Sequence, residues 1–332
     1  MRIGIPRALL YYNYYPLWHR FFEELGHQVV VSPATSKAVL DSGVMSCVDD
    51  ACLPVKLFHG HVVSLTGKVD AIFIPRLVSI SPGEFICPKF IGLPEMIKSS
   101  IKGLPHLIVL NCNAHRNLED AYRGYIELGK TVGAKHFRAA RALQKAAASQ
   151  QAYDSLLKEG KTPIDILNDE KGIEDGENKG IIGLIGHPYL LYDEFISMGL
   201  ISKLRARGYS VLVPENIPQL QIETVCKELP KKLFWSYGKK LLGSGLTMLR
   251  DRKVDGIIFL SSFGCGIDAF IVELLQRYNQ RLYRIPSTLI TVDEHSGQAG
   301  FNTRLEAFID MIEWRNSREG YISTHGTGVS GH

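Results

Sequence analysis

Gly180-Ile-Ile-Gly-Leu-Ile-Gly-His-Pro-Tyr-Leu-Leu-Tyr192 parallels the stretch near the start of the chain, Arg2-Ile-Gly-Ile-Pro-Arg-Ala-Leu-Leu-Tyr-Tyr12. In each copy a short apolar run reads as a strand that leads toward a helix. In the first copy Arg2 to Ile5 is the strand, Leu17 to Leu25 an amphipathic helix stopped by Gly26, and His27 to Val31 the next strand. In the second, helix Phe195 to Arg207 stops at Gly208, and Tyr209 to Val213 is the matching strand before Pro214. The likeness continues, since Lys68-Val-Asp-Ala-Ile-Phe-Ile-Pro75 resembles Lys253-Val-Asp-Gly-Ile-Ile-Phe-Leu260. Strands alternating with helices on short connections predict an α/β fold: two parallel-sheet lobes, wrapped by helices and related by an internal repeat.

The lobes are expected at 1–137 and 180–316, with a helical connector and hinge at 138–179. Ala139 to Lys158, rich in Ala, Gln and Lys, is the connector helix, and Glu170 to Lys179 is an exposed turn or hinge. Residues 317–332 are expected to be a flexible tail; from Glu319 on, Gly, Ser, Thr and His recur there without periodicity.

The bulk numbers narrow the function classes. The chain has 332 residues, 45% hydrophobic and 22% charged, with a net charge of +4 and no long basic block. That is the balance of a globular protein, and it does not suggest nucleic acid binding. No apolar stretch approaches the ~20 residues that cross a membrane. The start of the chain lacks the pattern of a signal peptide, so a cytoplasmic location is expected, where the six cysteines stay reduced. Reduced cysteines are better explained as metal ligands or reactive thiols than as disulfides.

Three of the cysteines sit in bent segments with Gly or Pro within two residues: Cys52 in Asp-Asp-Ala-Cys-Leu-Pro, Cys87 in Phe-Ile-Cys-Pro, and Cys265 in Phe-Gly-Cys-Gly. Cys87 and Cys265 follow equivalent strands of the two halves. Ligands of parallel sheets bind beyond the carboxyl ends of the strands, so facing lobes would bring these loops together. Three thiols from separate segments suggest one metal site with an open position. No Cys-x-x-Cys pair occurs, which suits an iron–sulfur cluster; zinc and unconnected thiols remain the alternatives. Cys47 and Cys112 are candidate fourth ligands, each also explained as a small buried residue, and Cys226 reads as a packing residue in a helix.

Lys56, His59 and His61 follow Cys52 on one helix and are candidates for a cationic surround of the metal group. Asp293-Glu294-His295 follows an apolar strand, Thr288 to Val292, and could place a proton donor beside it; a turn and cap would explain the same residues. Gly183-Leu-Ile-Gly186 and Gly243-Ser-Gly245 match neither a phosphate loop nor the dinucleotide fingerprint, so no nucleotide is expected on this chain.

Taken in order, Cys52-Leu-Pro-Val-Lys-Leu-Phe-His-Gly-His61, Cys87-Pro near Gly92-Leu-Pro-Glu95, Phe263-Gly-Cys-Gly-Ile-Asp268 and Asp293-Glu-His295 with Thr303-Arg-Leu-Glu-Ala-Phe-Ile-Asp310 resemble a known family. It is that of the activase-associated relatives of 2-hydroxyacyl-CoA dehydratases, in the superfamily that also holds the double-cubane cluster proteins. The resemblance covers roughly residues 1 to 315. It implies stacked flavodoxin-like domains with a 4Fe–4S cluster, or a double cubane, at their junction, held by Cys52, Cys87 and Cys265. It also implies a homodimer and a partner, a dimeric ATP-hydrolysing activase of the actin/sugar-kinase fold that injects low-potential electrons. In the dehydratases that electron makes a ketyl radical of a 2-hydroxyacyl-CoA, which then loses water. No segment here stands out as a CoA-binding element. The expected function is thus an iron–sulfur reductase or dehydratase-like enzyme acting on a small molecule. The alternatives are a two-lobed binding module and a non-catalytic electron carrier with a structural metal site.

Overall fold

Asp70 and Asp255 do the same work in the two halves. Asp70 accepts a hydrogen bond from the Arg2 backbone N–H through Oδ2 at 2.6 Å, and Asp255 accepts one from Ile181 at 2.7 Å. Each ties the start of the third strand of its half to the start of the first. The computed structural model describes residues 1–168 and 179–325, with the backbone alone at 316 and 318–325.

The first sheet contains β1 (Arg2–Ile5), β2 (Gln28–Val31), β3 (Ala71–Ser79) and β4 (His106–Asn113), all parallel in the order β2-β1-β3-β4. The second contains β5 (Gly180–Ile185), β6 (Tyr209–Leu212), β7 (Gly256–Ser262) and β8 (Ser287–Val292), parallel in the order β6-β5-β7-β8. The registers coincide as well: Ile3 pairs with Ala71 as Ile182 pairs with Gly256. The central strands are apolar on both faces, as helix-covered parallel strands must be; Ile72, Phe73 and Ile74 are buried, and so are Ile257, Ile258 and Phe259. These are the two flavodoxin-like lobes that the repeat predicts.

In each sheet the strand order reverses between the first and third strands, β1 and β3 or β5 and β7. At such a switch point the flanking crossovers run to opposite faces and leave a crevice beyond the carboxyl ends. The loops after these four strands therefore form the natural place for a site.

Two local features depart from the sequence expectation. The helix expected from Leu17 begins earlier, spanning Tyr11–Glu24 with Pro16 inside it. Pro16 has no N–H for the Tyr12 carbonyl one turn back, which would leave that group unpaired. Tyr153 supplies the missing donor, its hydroxyl 2.6 Å from Tyr12 O. In the second lobe the helix is shorter than Phe195 to Arg207, spanning Leu200–Ala206, because Met198 and Gly199 adopt left-handed backbone before it (φ 51 and 68).

The connector helix spans His136–Lys158 and lays Ala139, Ala142 and Ala146 into the core. Beyond it, Asp165 binds Arg205 of the second lobe through two hydrogen bonds of 2.6 and 2.8 Å. The hinge expected at Glu170 to Lys179 lies outside the described residues apart from Lys179. The last helix, Gln298–His325, runs on through the first part of the stretch expected to be a tail, and residues 326–332 lie outside the described ones. Among the described residues no helix is long and apolar enough to cross a membrane.

Candidate metal centre

Each of the three cysteines is the residue immediately before a helix. Cys52 precedes Leu53–Leu65, Cys87 precedes the single turn Pro88–Ile91, and Cys265 precedes Gly266–Tyr278. The local sequence explains this placement. Pro54 and Pro88 fall in the first turn, where a missing N–H costs nothing, and Gly264 takes the left-handed bend (φ +76) that turns the chain after β7. All three residues line one cavity between the lobes, with Leu9, Ile86, Lys89 and Phe90 from the first lobe and His187, Tyr189, Trp235 and Tyr237 from the second. The loops after β1, β3, β5 and β7 all contribute, as the double switch point requires.

The repeat carries down to the lining. Cys87 and Cys265 both follow the third strand of their sheet. Cys52 and Trp235 both precede the helix leading into that strand, Leu53–Leu65 or Ser236–Arg250. Three of four equivalent positions are thus cysteine, and the fourth is an aromatic ring.

The seam beside the cavity is held by main chain. Phe85 N–H donates to Phe234 O at 2.7 Å and Ser236 N–H donates to Phe85 O at 2.9 Å. A half-buried Lys239 closes on buried Glu84 at 2.7 Å next to it. These contacts hold the backbone beside Cys87 and Trp235.

Two opposing influences act on the thiols. Helix N-termini favour thiolate, whereas burial disfavours any charge. Burial wins: it pushes the Cys52 thiol up against the pull of nearby Lys89, and it pushes Cys265 up strongly, with Asp268 adding to the rise. Without a metal ion Cys52 and Cys265 keep their protons, and a bound metal would release them. The donor set therefore fits a thiophilic metal. The void itself is about 30 Å³, room for one water or one ion. Its walls are largely side chains, so a cluster would need some of them to move aside.

His187 and Asp268 belong to the same site and were not anticipated from the sequence. His187 is buried, with Nε2 3.1 Å from Asp268 Oδ1, and its Nδ1 has no hydrogen-bond partner. Asp268 Oδ2 accepts from Ser262 N–H at 3.1 Å. Ligand atoms of His187, Cys265 and Asp268 all lie within 4.8 Å of one another. The available signal was the imidazole of Gly186-His-Pro188, at the strand-to-helix corner of the second repeat.

The other expected residues lie elsewhere. Lys56, almost fully buried, pairs with Glu294 across the lobes at 2.5 Å, and holds that carboxyl below its usual range. His59 Nδ1 lies 2.8 Å from Val55 O within its own helix. His61 lies between Ser32 Oγ, 2.9 Å from Nδ1, and Thr35 Oγ1, 3.0 Å from Nε2, and Thr35 in turn donates to Asp193 of the second lobe. Glu294 and His295 line a larger cleft of about 820 Å³ with Lys37, Leu53 and Lys203. There Asp293 accepts from His295 N–H and from Ser296, closing a turn, and Leu53, next to Cys52 in the chain, lines this cleft. Cys47 packs beside Cys52 without lining the cavity. Cys112 is buried in β4 with its thiol toward Ser79 O, and Cys226 packs against Gly243 of the helix Ser236–Arg250.

Fold and site define a two-lobed parallel α/β protein with a thiol-lined centre at the junction of its lobes. The chain belongs to the family described as CoA enzyme activase uncharacterised domain (DUF2229), whose model matches residues 2–217. No curated protein matches it in sequence. Among solved structures, an ABC transporter periplasmic solute binding protein from Actinobacillus succinogenes 130z with bound D-allose aligns over 87% of this chain and 77% of its own at 11% identity. Its TM-score is 0.20, too low to carry an argument.

Proposed function

We propose that this chain is an iron–sulfur protein of the activase-associated, 2-hydroxyacyl-CoA dehydratase-like kind. Cys52, Cys87 and Cys265 would hold a 4Fe–4S cluster or part of a double cubane. The observation that carries the reading is the meeting of three unpaired cysteines, each at the start of a helix, in one apolar cavity between the lobes. Three isolated thiols suit a cluster, whose irons are spread widely enough to be reached from separate loops. The family description supports a link to an activase, here proposed to be of the actin/sugar-kinase fold, working with a homodimer of this chain in a reducing cytoplasm.

When bound, the cluster would supply one low-potential electron at a time for reducing, or reductively dehydrating, a small molecule such as an acyl-CoA. The protein's own part is to keep water away and to hold charge. Phe90, Tyr189, Trp235 and Tyr237 close the cavity, and Lys89 places a cation beside the thiols, stabilising their anionic state. The adjoining cleft, of a size suited to a small molecule, offers Lys37 and Lys203 to an anion and His295 as a proton donor. Lys56 holds Glu294 at the edge of that cleft.

The narrow void favours a second reading, a single zinc-like ion that fixes a two-lobed binding module. One experiment separates the two. Anaerobically prepared protein is mixed with a dehydratase activase, with and without ATP, and its visible spectrum is followed. ATP-dependent bleaching of a brown chromophore supports the cluster reading; a colourless protein carrying stoichiometric zinc overturns it.

A further inference from the structure

The repeat supplies three thiols at four equivalent positions, and Trp235 at the fourth has only an N–H to offer. We propose that His187 is the fourth protein ligand of this centre, an imidazole nitrogen oriented by Asp268; the proposal rests on the metal-centre reading above.

The lining leaves little choice of donor. Besides the cysteines it holds Lys89, whose ammonium has no lone pair, the phenols Tyr189 and Tyr237, and His187. Of these, only imidazole is an ordinary partner of thiolates in soft metal sites. The geometry fits that role. A ring proton on Nε2, the nitrogen 3.1 Å from Asp268 Oδ1, leaves the lone pair on Nδ1, which is buried with no hydrogen-bond partner. An orphaned buried acceptor costs about 1–3 kcal/mol unless something uses it. Asp268 is itself fixed by the Ser262 N–H, and the ring stacks on Tyr189 with centroids 4.9 Å apart and planes 17° apart. A carboxylate that binds one imidazole nitrogen while the other faces a metal is the usual way a histidine ligand is oriented and made more basic. One ring nitrogen of His187, the thiol of Cys265 and a carboxylate oxygen of Asp268 all lie within 4.8 Å of one another.

Two readouts test this on the full-length protein. Cobalt(II) titration under argon, followed by thiolate-to-cobalt charge-transfer absorption, gives affinity; pulsed electron paramagnetic resonance of the reduced, iron-loaded protein detects a coordinated nitrogen. His187→Gln and His187→Ala should each weaken cobalt binding roughly 10–100-fold or more and abolish the nitrogen coupling. Asp268→Asn should weaken binding roughly 10–100-fold while keeping the coupling, as expected of a positioning residue. Thermal melts of the metal-free variants check that each still folds. Iron-loaded wild type without nitrogen coupling, or His187→Gln with wild-type cobalt affinity, overturns the assignment. Cobalt bound through nitrogen by a protein that never takes up iron overturns the cluster and leaves His187 standing; a protein that binds neither metal overturns both.

Discussion

Cys52 and Trp235 stand at the same place in the two halves, each just before the helix that feeds the third strand of its sheet, and both line one cavity. The duplicated scaffold thus offers four converging helix starts, with thiols at three and a ring at the fourth. A covering role makes Trp235 dispensable for metal uptake but not for protection. Trp235→Ala should keep the wild-type metal content and lose it several-fold faster on exposure to air, read as the decay of visible absorbance. Unchanged decay would show that Trp235 covers nothing.

The hairpin that presents Cys52 depends on two glycines. Helices Lys37–Met45 and Leu53–Leu65 cross so closely that a Cβ on Gly43 would lie 2.1 Å from Lys56 O, and one on Gly60 2.0 Å from Val39 O. Both obstacles are backbone, so no rotamer change relieves them. Gly43→Ala and Gly60→Ala should each cost about 3 kcal/mol, near the top of the usual range for overpacking, as measured by urea denaturation.

Lys56 and Glu294 form an unequal pair across the lobes, Lys56 being 5% exposed and Glu294 21%. Removing the more exposed partner leaves a charge in the interior, whereas removing the buried one does not. Glu294→Ala should therefore cost about 3 kcal/mol and Lys56→Met less than about 1 kcal/mol in denaturant titrations near neutral pH. Equal losses would mean that solvent reaches Lys56 freely.

His61 should shape the acid limb of stability. Burial, with Arg7 nearby, pushes its pKa down to about 3 from the ordinary 6.5. Between those values the unfolded chain takes up a proton that the folded chain refuses. The contribution is therefore complete above pH 6.5 and is lost as pH falls toward 3. The slope should approach about 1.4 kcal/mol per pH unit, and His61→Gln should flatten it. The hydrogen bonds agree with a neutral ring: Thr35 donates to Asp193, so it accepts from Nε2–H, and Nδ1 accepts from Ser32. A second ring proton would face the Ser32 hydroxyl.

The sheets and the cysteine cavity could be read from sequence because both are written locally. Val69-Asp70 and Val254-Asp255 mark equivalent strand starts, and Gly or Pro beside each cysteine marks a bent, presented thiol. What escaped depends on residues far apart in the chain. The first helix reads as starting at Leu17, just after Pro16, until Tyr153 takes up the stranded carbonyl of Tyr12. His61 reads as a neighbour of Cys52 until Thr35 and Asp193 bind its ring from another direction. His187 looks like one more residue of the repeat, and only the packing of Asp268 against it gives it a chemical role.

One iron–sulfur centre held by Cys52, Cys87 and Cys265, as proposed, has a direct chemical signature. Iron and acid-labile sulfide are counted on anaerobically purified protein, and low-temperature electron paramagnetic resonance is recorded after reduction. The expected result is about four irons and four sulfides per chain for a single cubane, or about twice that for a double one, with the signal of a reduced cluster. Cys52→Ser, Cys87→Ser and Cys265→Ser should each lose both, while Cys112→Ser and Cys226→Ser keep them. An iron-free wild type, or full iron content in the three site variants, would contradict it.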